Sequence, residues 1–219
     1  MRKLILKMSI SADGFVSGPN GEIDWLLRTM GKSALALDWI EKTLWQAGVH
    51  IMGSRTFHDM SSYWPTASGN LAAPMNEIPK VVFSKKGFID PPGPALTTQA
   101  LKDSTRLDKE KGANRTALSN NASTWTNVPV AKELVPEIEK LKQQDGNFIL
   151  AHGGASFAQD LVKSGLIDEY RLVIHPVILG KGLPLFSLAP NPFDLRLESS
   201  TSFDSGIVAN IYSTIKTNK

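Results

Sequence analysis

Short hydrophilic turns that follow apolar strands carry the residues whose types could do chemistry. In HIMGSRTF, residues 50–57, Gly53 is followed at once by Ser54, Arg55 and Thr56. A glycine lets the backbone approach a ligand closely, the hydroxyls can donate hydrogen bonds, and a guanidinium pairs with phosphate in fork geometry. Taken alone, the stretch is equally typical of a capped surface helix with a solvated arginine. It is a candidate phosphate site that needs support from elsewhere in the chain.

Two further strand exits have the same character. VVFSKKG, residues 81–87, leaves its strand through one hydroxyl and two cations, which are Ser84, Lys85 and Lys86. ILAHGGAS, residues 149–156, leaves its strand through Gly153 and Gly154 and continues into a helix. Singly, the lysine pair is typical of a solvated turn and the glycine pair of a tight strand-to-helix corner.

The three exits together predict one ligand crevice. In open parallel sheets, ligands bind beyond the carboxyl ends of the strands, where helix N-termini attract anions. A dinucleotide fits this arrangement, with its pyrophosphate over the glycine pair and Thr56. An extra ribose phosphate would lie against Arg55, Ser84 and the two lysines, which favours NADP over NAD.

Strand and helix patterns alternate around these exits. Strand character is found in residues 4–10, 49–52, 80–84 and 147–152. Helical spacing of apolar residues surrounds Ile40 and Ile138, and a further helix is predicted between Gly154 and Gly165. A strand resumes in residues 168–179, and residues 195–215 predict an antiparallel hairpin. The fold class is α/β, with a mainly parallel central sheet, helices on both faces and an antiparallel C-terminal hairpin.

Length and composition restrict the class of protein. The 219 residues, 42% hydrophobic and 21% charged, predict one globular domain over residues 1–219. Residues 90–127 are polar and lack periodicity, so we expect a loop insertion there. Because cysteine is absent, thiol nucleophiles and thiolate metal sites are excluded, and a cytoplasmic location is expected. The N-terminal apolar stretch, interrupted by Lys7, is too short for a signal peptide core or a membrane span.

Several other site patterns do not occur. No G-x-G-x-x-G follows a strand, and GKS at residues 31–33 has Leu26 where a P-loop needs glycine. The four histidines lack the spacing of a zinc motif, so we expect no metal. The net charge of +3 is mild and the aromatic residues are not interleaved with basic ones, so we expect no nucleic-acid partner.

Four longer segments carry a family resemblance. They are MSISADGFVSGPNGEIDW at 8–25, HIMGSRTF at 50–57, IPKVVFSKK at 78–86 and LAHGGASFAQDLVKSGLIDEYRLVIHPVILGKGLPLF at 150–186. Together they resemble the dihydrofolate reductase-like superfamily, especially the riboflavin-biosynthesis reductase C-terminal domain and its stand-alone relatives. The resemblance implies a dihydrofolate reductase-like fold, NADPH as the cofactor and commonly a homodimer.

The same resemblance assigns cofactor contacts residue by residue. It implies that the glycine pair contacts the pyrophosphate, the GSRT segment phosphate and ribose, and the Ser-Lys turn the adenosine phosphate. The expected cofactor-binding residues are Ala12, Gly53, Ser54, Arg55, Thr56, Ser84, Lys85, Lys86, Gly153, Gly154, Ala155 and Ser156.

Catalytic candidates come from the loop that the resemblance places beside nicotinamide and substrate. Asp13 leads into this loop and Trp25 closes it, although Asp13 and Gly14 are also an ordinary turn signal. Dihydrofolate reductases place a carboxylate on the following helix, and here both Asp38 and Glu41 qualify. We take Asp13, Trp25 and Asp38 as the catalytic candidates.

Substrate contacts are expected at the acidic pair Asp168 and Glu169, although such a pair at the start of a strand is also typical of a solvated edge. The predicted reaction is hydride transfer from NADPH to a C=N or C=O bond of a pterin-, pyrimidine- or nucleotide-like small molecule. One proton donor is needed, either a buried carboxylic acid or a water. The alternatives are a genuine dihydrofolate reductase and a non-catalytic NADP-binding module.

Overall fold

A computed structural model describes residues 1–30, 32–87, 89 and 122–215. Within these residues the strands are β1 (Leu4–Ser11), β2 (Phe15–Ser17), β3 (Ala47–Gly53), β4 (Lys80–Phe83), β5 (Val130–Ala131), β6 (Phe148–Ala151), β7 (Glu169–His175), β8 (Leu183–Pro184), β9 (Leu195–Ser202) and β10 (Val208–Thr214). The α-helices are α1 (Asp24–Met30), α2 (Ala34–Trp45), α3 (Ser54–Tyr63), α4 (Ala72–Glu77), α5 (Leu134–Gln143) and α6 (Ala155–Ser164). No helix in this part of the chain is long and apolar enough to cross a membrane.

An eight-stranded sheet in the order β5-β4-β3-β6-β1-β7-β10-β9 forms the centre of the fold. The pairs from β5 to β7 are all parallel, whereas β10 runs antiparallel to both β7 and β9. A separate antiparallel pair is formed by β2 and β8. The predicted α/β class, with its mainly parallel sheet and antiparallel C-terminal hairpin, is confirmed.

Helices cover both faces of the sheet, as the alternation along β1 shows. Leu4, Leu6, Met8 and Ile10 pack on one face against α5 and α6. Ile5 points to the other face, where α1, α2, α3 and α4 supply the apolar partners. Because successive side chains of a strand point to opposite faces, Lys7 also belongs to the second face.

Local sequence explains where the helices begin and end. The hydroxyl of Ser33 accepts a hydrogen bond from the Ala36 N–H at 3.2 Å and so caps α2. Pro136 lies in the first turn of α5, where its missing N–H costs nothing. Helix α6 follows Gly154 and ends at Gly165, whose φ of +67° is the left-handed conformation of a C-terminal cap. The bounds of α6 match those predicted from the sequence.

The described end of the expected 90–127 insertion is packed into the core. Residues 90–121 lie outside the described part, but residues 122–125 form a 3-10 turn. Trp125 is buried, and its Nε1 donates to Asn76 Oδ1 at 2.7 Å. The ammonium of Lys80 lies 4.3 Å from the centroid of the same ring. The expected loop insertion at about 90–127 lies mostly outside the described residues and stays a prediction, while Trp125 anchors its described end in the core.

Candidate functional site

The carboxyl ends of neighbouring strands place the three predicted exits at one edge of the sheet. Strand β3 ends at Gly53 and leads directly into α3, and β4 ends at Phe83 before the lysine turn. Strand β6 ends at Ala151, two residues before the glycine pair and α6. Because β3 is hydrogen-bonded to both β4 and β6, the three exits are neighbours.

Two glycines bring the N-termini of α3 and α6 together. Gly154 has a φ of +102°, and a Cβ built on it would lie 2.6 Å from Thr56 Oγ1. A Cβ on Gly53 would lie 3.2 Å from the Cβ of Phe157 in α6. Both helices are ten residues long, and the free N–H groups of their first turns attract anions. This edge has the chemistry to hold a pyrophosphate.

Cations and hydroxyls surround these helix ends. Arg55 and Lys85 are exposed, and the Lys85 Nζ lies 3.1 Å from Asp160 Oδ2 on α6. Ser84 is buried where β4 ends, and its N–H donates to the Ala131 carbonyl at 2.9 Å. The Thr56 hydroxyl makes no hydrogen bond to the residues that the structure describes.

The other expected cofactor residues lie at the same edge. Lys86 is exposed in the turn beside Lys85, and Ala155 and Ser156 form the first turn of α6. Ala12 follows β1, the neighbour of β6, and its N–H donates to the Val177 carbonyl at 2.8 Å. The structure thus brings the predicted cofactor set together, while its role in binding stays a prediction.

The Asp13 carboxylate links two loops through hydrogen bonds. Its carboxylate accepts the backbone N–H groups of Leu179, at 3.1 Å, and Gly180, at 2.8 Å. Hydrogen bonding, first from the Ser11 side chain and then from these N–H groups, lowers the pKa of Asp13. The carboxylate is solvent-exposed and ties the turn after β1 to the loop after β7.

The other two catalytic candidates lie apart from each other. Trp25 is buried in α1 and packs edge-on against the His175 ring, with centroids 5.2 Å apart. Asp38 is exposed on α2, where its Oδ2 lies 2.7 Å from the Lys42 Nζ. Glu41 is partly exposed on the same helix. No carboxylate of α2 is therefore brought to the edge that holds the glycine pair.

Asp168 and Glu169 lie at the opposite edge of the sheet. They begin β7, whose first residue is paired with Ile5 near the start of β1. Asp168 Oδ2 accepts the Leu4 N–H at 2.8 Å and lies 2.5 Å from the Lys142 Nζ, while Glu169 Oε1 lies 2.7 Å from the Arg171 Nε. The structure therefore places this pair away from the crevice. Both carboxylates take part in ion pairs at the amino ends of the strands.

A row of basic side chains on the second face was missed by sequence reasoning. Five adjacent strands, in the order β4, β3, β6, β1 and β7, position one member each. Lys80, His50, Lys7 and His175 lie within their strands, and His152 directly follows β6. His50 is paired directly with Lys80. Lys7 is level with His152, because the preceding residues Leu6 and Ala151 are paired. We call these five residues the basic row.

Burial controls the charge of the basic row. Desolvation, followed by the nearby ammonium of Lys80, lowers the pKa of His50 to about 3, and desolvation followed by Lys7 lowers that of His175 to about 4. Desolvation, then His50, Lys7 and Lys80, lowers the pKa of His152 well below its ordinary value. Desolvation alone lowers the pKa of Lys7 to about 8 and that of Lys80 to about 7. No carboxylate of the described residues offsets these shifts.

The two ends of the row have hydrogen-bond partners. Lys80 donates to the Ile78 carbonyl at 2.7 Å and to Thr124 Oγ1 at 3.1 Å. His175 Nδ1 lies 2.6 Å from Thr29 Oγ1, which is also within hydrogen-bond distance of the Trp25 carbonyl at 2.9 Å and the Leu26 carbonyl at 3.0 Å. Which of His175 and Thr29 donates to the other depends on the tautomer of the His175 ring.

The middle of the row keeps free hydrogen-bonding capacity. The rings of His50 and His152 meet edge-on with centroids 4.5 Å apart. Among the described residues, neither Nε2 has a hydrogen-bond partner, and Lys7 makes no hydrogen bond or ion pair. In the same part of the chain, no group of three or more histidine, aspartate or glutamate side chains is placed to hold a metal ion.

The comparison that decides the family covers almost the whole chain. The family described as RibD C-terminal domain matches residues 2–209. The chain belongs to this family. Relatives include the uncharacterized protein YyaP of Bacillus subtilis strain 168, which is 29% identical over 211 residues, 96% of this chain and 94% of YyaP.

Solved structures support the fold of this RibD C-terminal domain. A diaminohydroxyphosphoribosylaminopyrimidine deaminase/5-amino-6-(5-phosphoribosylamino)uracil reductase from Thermotoga maritima aligns with a TM-score of 0.61 and 15% identity, covering 98% of this chain and 57% of that one. Dihydrofolate reductase from Enterococcus faecalis, complexed with NADP(H), aligns with a TM-score of 0.55 and 11% identity, covering 98% and 97%. The fold is dihydrofolate reductase-like, and the family is one of NAD(P)H-dependent reductases.

Substitution of Gly154 tests the contact between α3 and α6. We expect Gly154→Ala to cost about 1–2 kcal/mol for its positive φ and roughly 1–3 kcal/mol more for the overlap with Thr56. Gly21→Ala is the matched control, because Gly21 has a φ of +92° with nothing within 4 Å of a built Cβ. Urea unfolding measures both. Equal losses for the two variants, or no recovery in Gly154→Ala/Thr56→Ala, would contradict the contact.

The basic row predicts an acid-sensitive RibD C-terminal domain. At pH values between the ordinary histidine pKa of 6.5 and the lowered pKa values of the folded chain, the unfolded chain binds protons that the folded chain does not. The free energy of unfolding therefore falls as the pH falls. Each buried histidine contributes up to about 1.4 kcal/mol per pH unit. Urea unfolding at pH 7 and pH 5.5 measures the slope. His50→Phe should reduce the pH dependence of the free energy of unfolding by the contribution of one histidine. An unchanged pH dependence would show that His50 titrates normally in the folded chain.

Proposed function

We propose that this chain is an NADPH-dependent reductase that delivers a hydride to a C=N or C=O bond of a pterin-, pyrimidine- or nucleotide-like substrate. The approach of α3 to α6 through Gly154 and Thr56 carries this proposal. It presents two helix N-termini and a free hydroxyl to one point at the carboxyl edge of a parallel sheet, which suits a pyrophosphate. A uracil reductase and an NADP(H)-bound reductase among the aligned structures favour the same chemistry.

Preference for NADPH over NADH rests on the cations beside these helix ends. Arg55 is exposed on the first turn of α3, and its guanidinium can form two parallel hydrogen bonds with a phosphate. Lys85 and Lys86 follow the neighbouring strand and are exposed too. The ion pair between Lys85 and Asp160 holds the lysine turn toward α6. These side chains suit the ribose phosphate that distinguishes NADP from NAD.

When bound, NADPH would supply the hydride, and the protein's own residues would hold the reactants and exclude water. The N-termini of α3 and α6 would fix the pyrophosphate. The contact of Asp13 with Gly180 holds the loop after β1 against the loop after β7. Trp25 and Thr29 pack α1 against His175 at the end of β7. This packing covers the side of the sheet next to the loop after β7.

The exposed position of Asp38 separates this proposal from a genuine dihydrofolate reductase. A carboxylate that serves a pterin must be brought into the site, whereas Asp38 pairs with Lys42 on the outer side of α2. An assay with dihydrofolate and NADPH separates the two alternatives. Cofactor binding without turnover on any pterin or pyrimidine would instead favour the non-catalytic NADP-binding module.

We also infer a homodimer formed through the C-terminal strands. Its support is exposed apolar surface on and beside β9, including Leu197, which is 53% exposed, and Phe193, which is 43% exposed. Strand β9 is the edge of the sheet, and its unpaired backbone groups can bond to another strand. A monomer in size-exclusion chromatography with light scattering would contradict this inference.

Removal of the phosphate-binding cations should lower NADPH affinity selectively. Charge-assisted hydrogen bonds contribute about 1.5–3 kcal/mol, so we expect Arg55→Ala to weaken NADPH binding roughly 10- to 100-fold. Lys85→Ala should have a smaller effect in the same direction, because its ammonium is already shared with Asp160. NADH affinity should change little in either variant.

Quenching of tryptophan fluorescence measures these affinities. Lys140→Ala is the control, since Lys140 is an exposed cation that pairs with Glu137 on α5. Unchanged NADPH affinity in both Arg55→Ala and Lys85→Ala, or an equal loss in Lys140→Ala, would contradict the phosphate assignment.

A further inference from the structure

We infer that Lys7, His50 and His152 form a buried binding site for an oxyanion of the substrate, a carboxylate or a phosphate group. The inference rests on the proposed function, since it concerns the substrate side of the same crevice. These residues are the middle of the basic row, on adjacent strands β3, β6 and β1.

Lys7 is a largely desolvated cation that has no counter-ion among the described residues. A charged group removed from water is costly unless it is paired or hydrogen-bonded. Desolvation lowers the pKa of Lys7 only to about 8, so the ammonium stays largely protonated at pH 7. It has no hydrogen bond or ion pair among the described residues. An oxyanion bound here would neutralise the positive charge of the Lys7 ammonium.

His50 and His152 complete the site as neutral rings. A neutral imidazole carries one N–H, and burial keeps both rings neutral at pH 7. The edge-on contact of the rings fixes their relative orientation, and the Nε2 atoms have no partner within the described residues. The Lys7 ammonium and the N–H of His152 can donate to the oxygens of a single anion, and the His50 ring lines the site through its edge-on contact with His152. A cationic ligand would meet repulsion from both Lys7 and Lys80.

The position of this site suits a substrate held beside the cofactor. His152 immediately precedes the glycine pair, and Lys7 is level with His152 on the neighbouring strand. Lys7 as a whole residue is only partly buried, so its side chain is in reach of solvent. The oxyanion site therefore lies next to the strand exit that leads into Gly153 and Gly154.

Nuclear magnetic resonance of the full chain tests the site with two probes, formate for a carboxylate and orthophosphate for a phosphate group. The four histidines give four ring signals, which single histidine variants assign. We expect a saturable shift of the His50 and His152 signals at pH 7 with at least one probe. A response to formate alone identifies a carboxylate ligand, and a response to orthophosphate alone identifies a phosphate ligand. No shift of these signals with either probe would overturn the inference.

Lys7→Met removes the charge and keeps the length of the side chain. We expect it to abolish the shifts, whereas Lys3→Met, at a lysine whose side chain is 66% exposed on the same segment, should leave them intact. His152→Gln is the second variant and should weaken probe binding several-fold. Shifts that persist in both Lys7→Met and His152→Gln would overturn the site.

NADPH binding, followed by tryptophan fluorescence, separates this inference from the proposed function. Lys7→Met should bind NADPH as tightly as the wild-type chain. A tenfold loss of NADPH affinity in Lys7→Met but not in Lys3→Met would assign Lys7 to the cofactor and overturn a substrate oxyanion site. Failure of the wild-type chain to bind NADPH would refute the proposed reductase, whatever the probes show.

Discussion

The close approach of Gly154 to the Thr56 hydroxyl is the constraint on which the candidate site depends. It requires a positive φ and the absence of a side chain at one residue, and only glycine meets both requirements without strain. The hydrogen bonding of β3 to β6 places the N-terminal ends of α3 and α6 at one point of the sheet edge, and Gly53 permits their close approach. The anion-attracting edge therefore follows from strand order together with two glycines.

The two faces of the central sheet have different chemistry. One face carries an apolar cluster under α5 and α6, which is sufficient to hold the strands in register. The other face is apolar beneath α2 and α4 but includes the basic row among its buried residues. Buried basic groups lower stability, because each shifted pKa measures a preference for the unfolded state over part of the pH range. His152 and His175 lie at the carboxyl ends of their strands, and groups with strongly shifted pKa values are typical of functional sites.

Much of the fold and of the cofactor edge could be predicted from the sequence. Alternation in β1, the glycines that bound α6 and the Ser84–Lys86 turn are local signals, and parallel strands necessarily bring their carboxyl ends to one edge. The basic row could not be predicted, because it depends on the register of five strands that are distant in sequence. A local signal existed in Lys7, which interrupts an otherwise apolar strand, and in His152 beside the glycine pair. Asp168 and Glu169 were placed in the crevice by resemblance, whereas their position at the start of β7 puts them at the other edge.

Titration of the wild-type chain with NADPH and, in parallel, with NADH tests the central claim most directly. Quenching of its five tryptophans reports binding of either dinucleotide. We predict saturable binding of NADPH at least about tenfold tighter than that of NADH, equivalent to about 1.4 kcal/mol for the extra phosphate. Absence of binding by both would contradict the claim that the edge formed by α3 and α6 is a dinucleotide site.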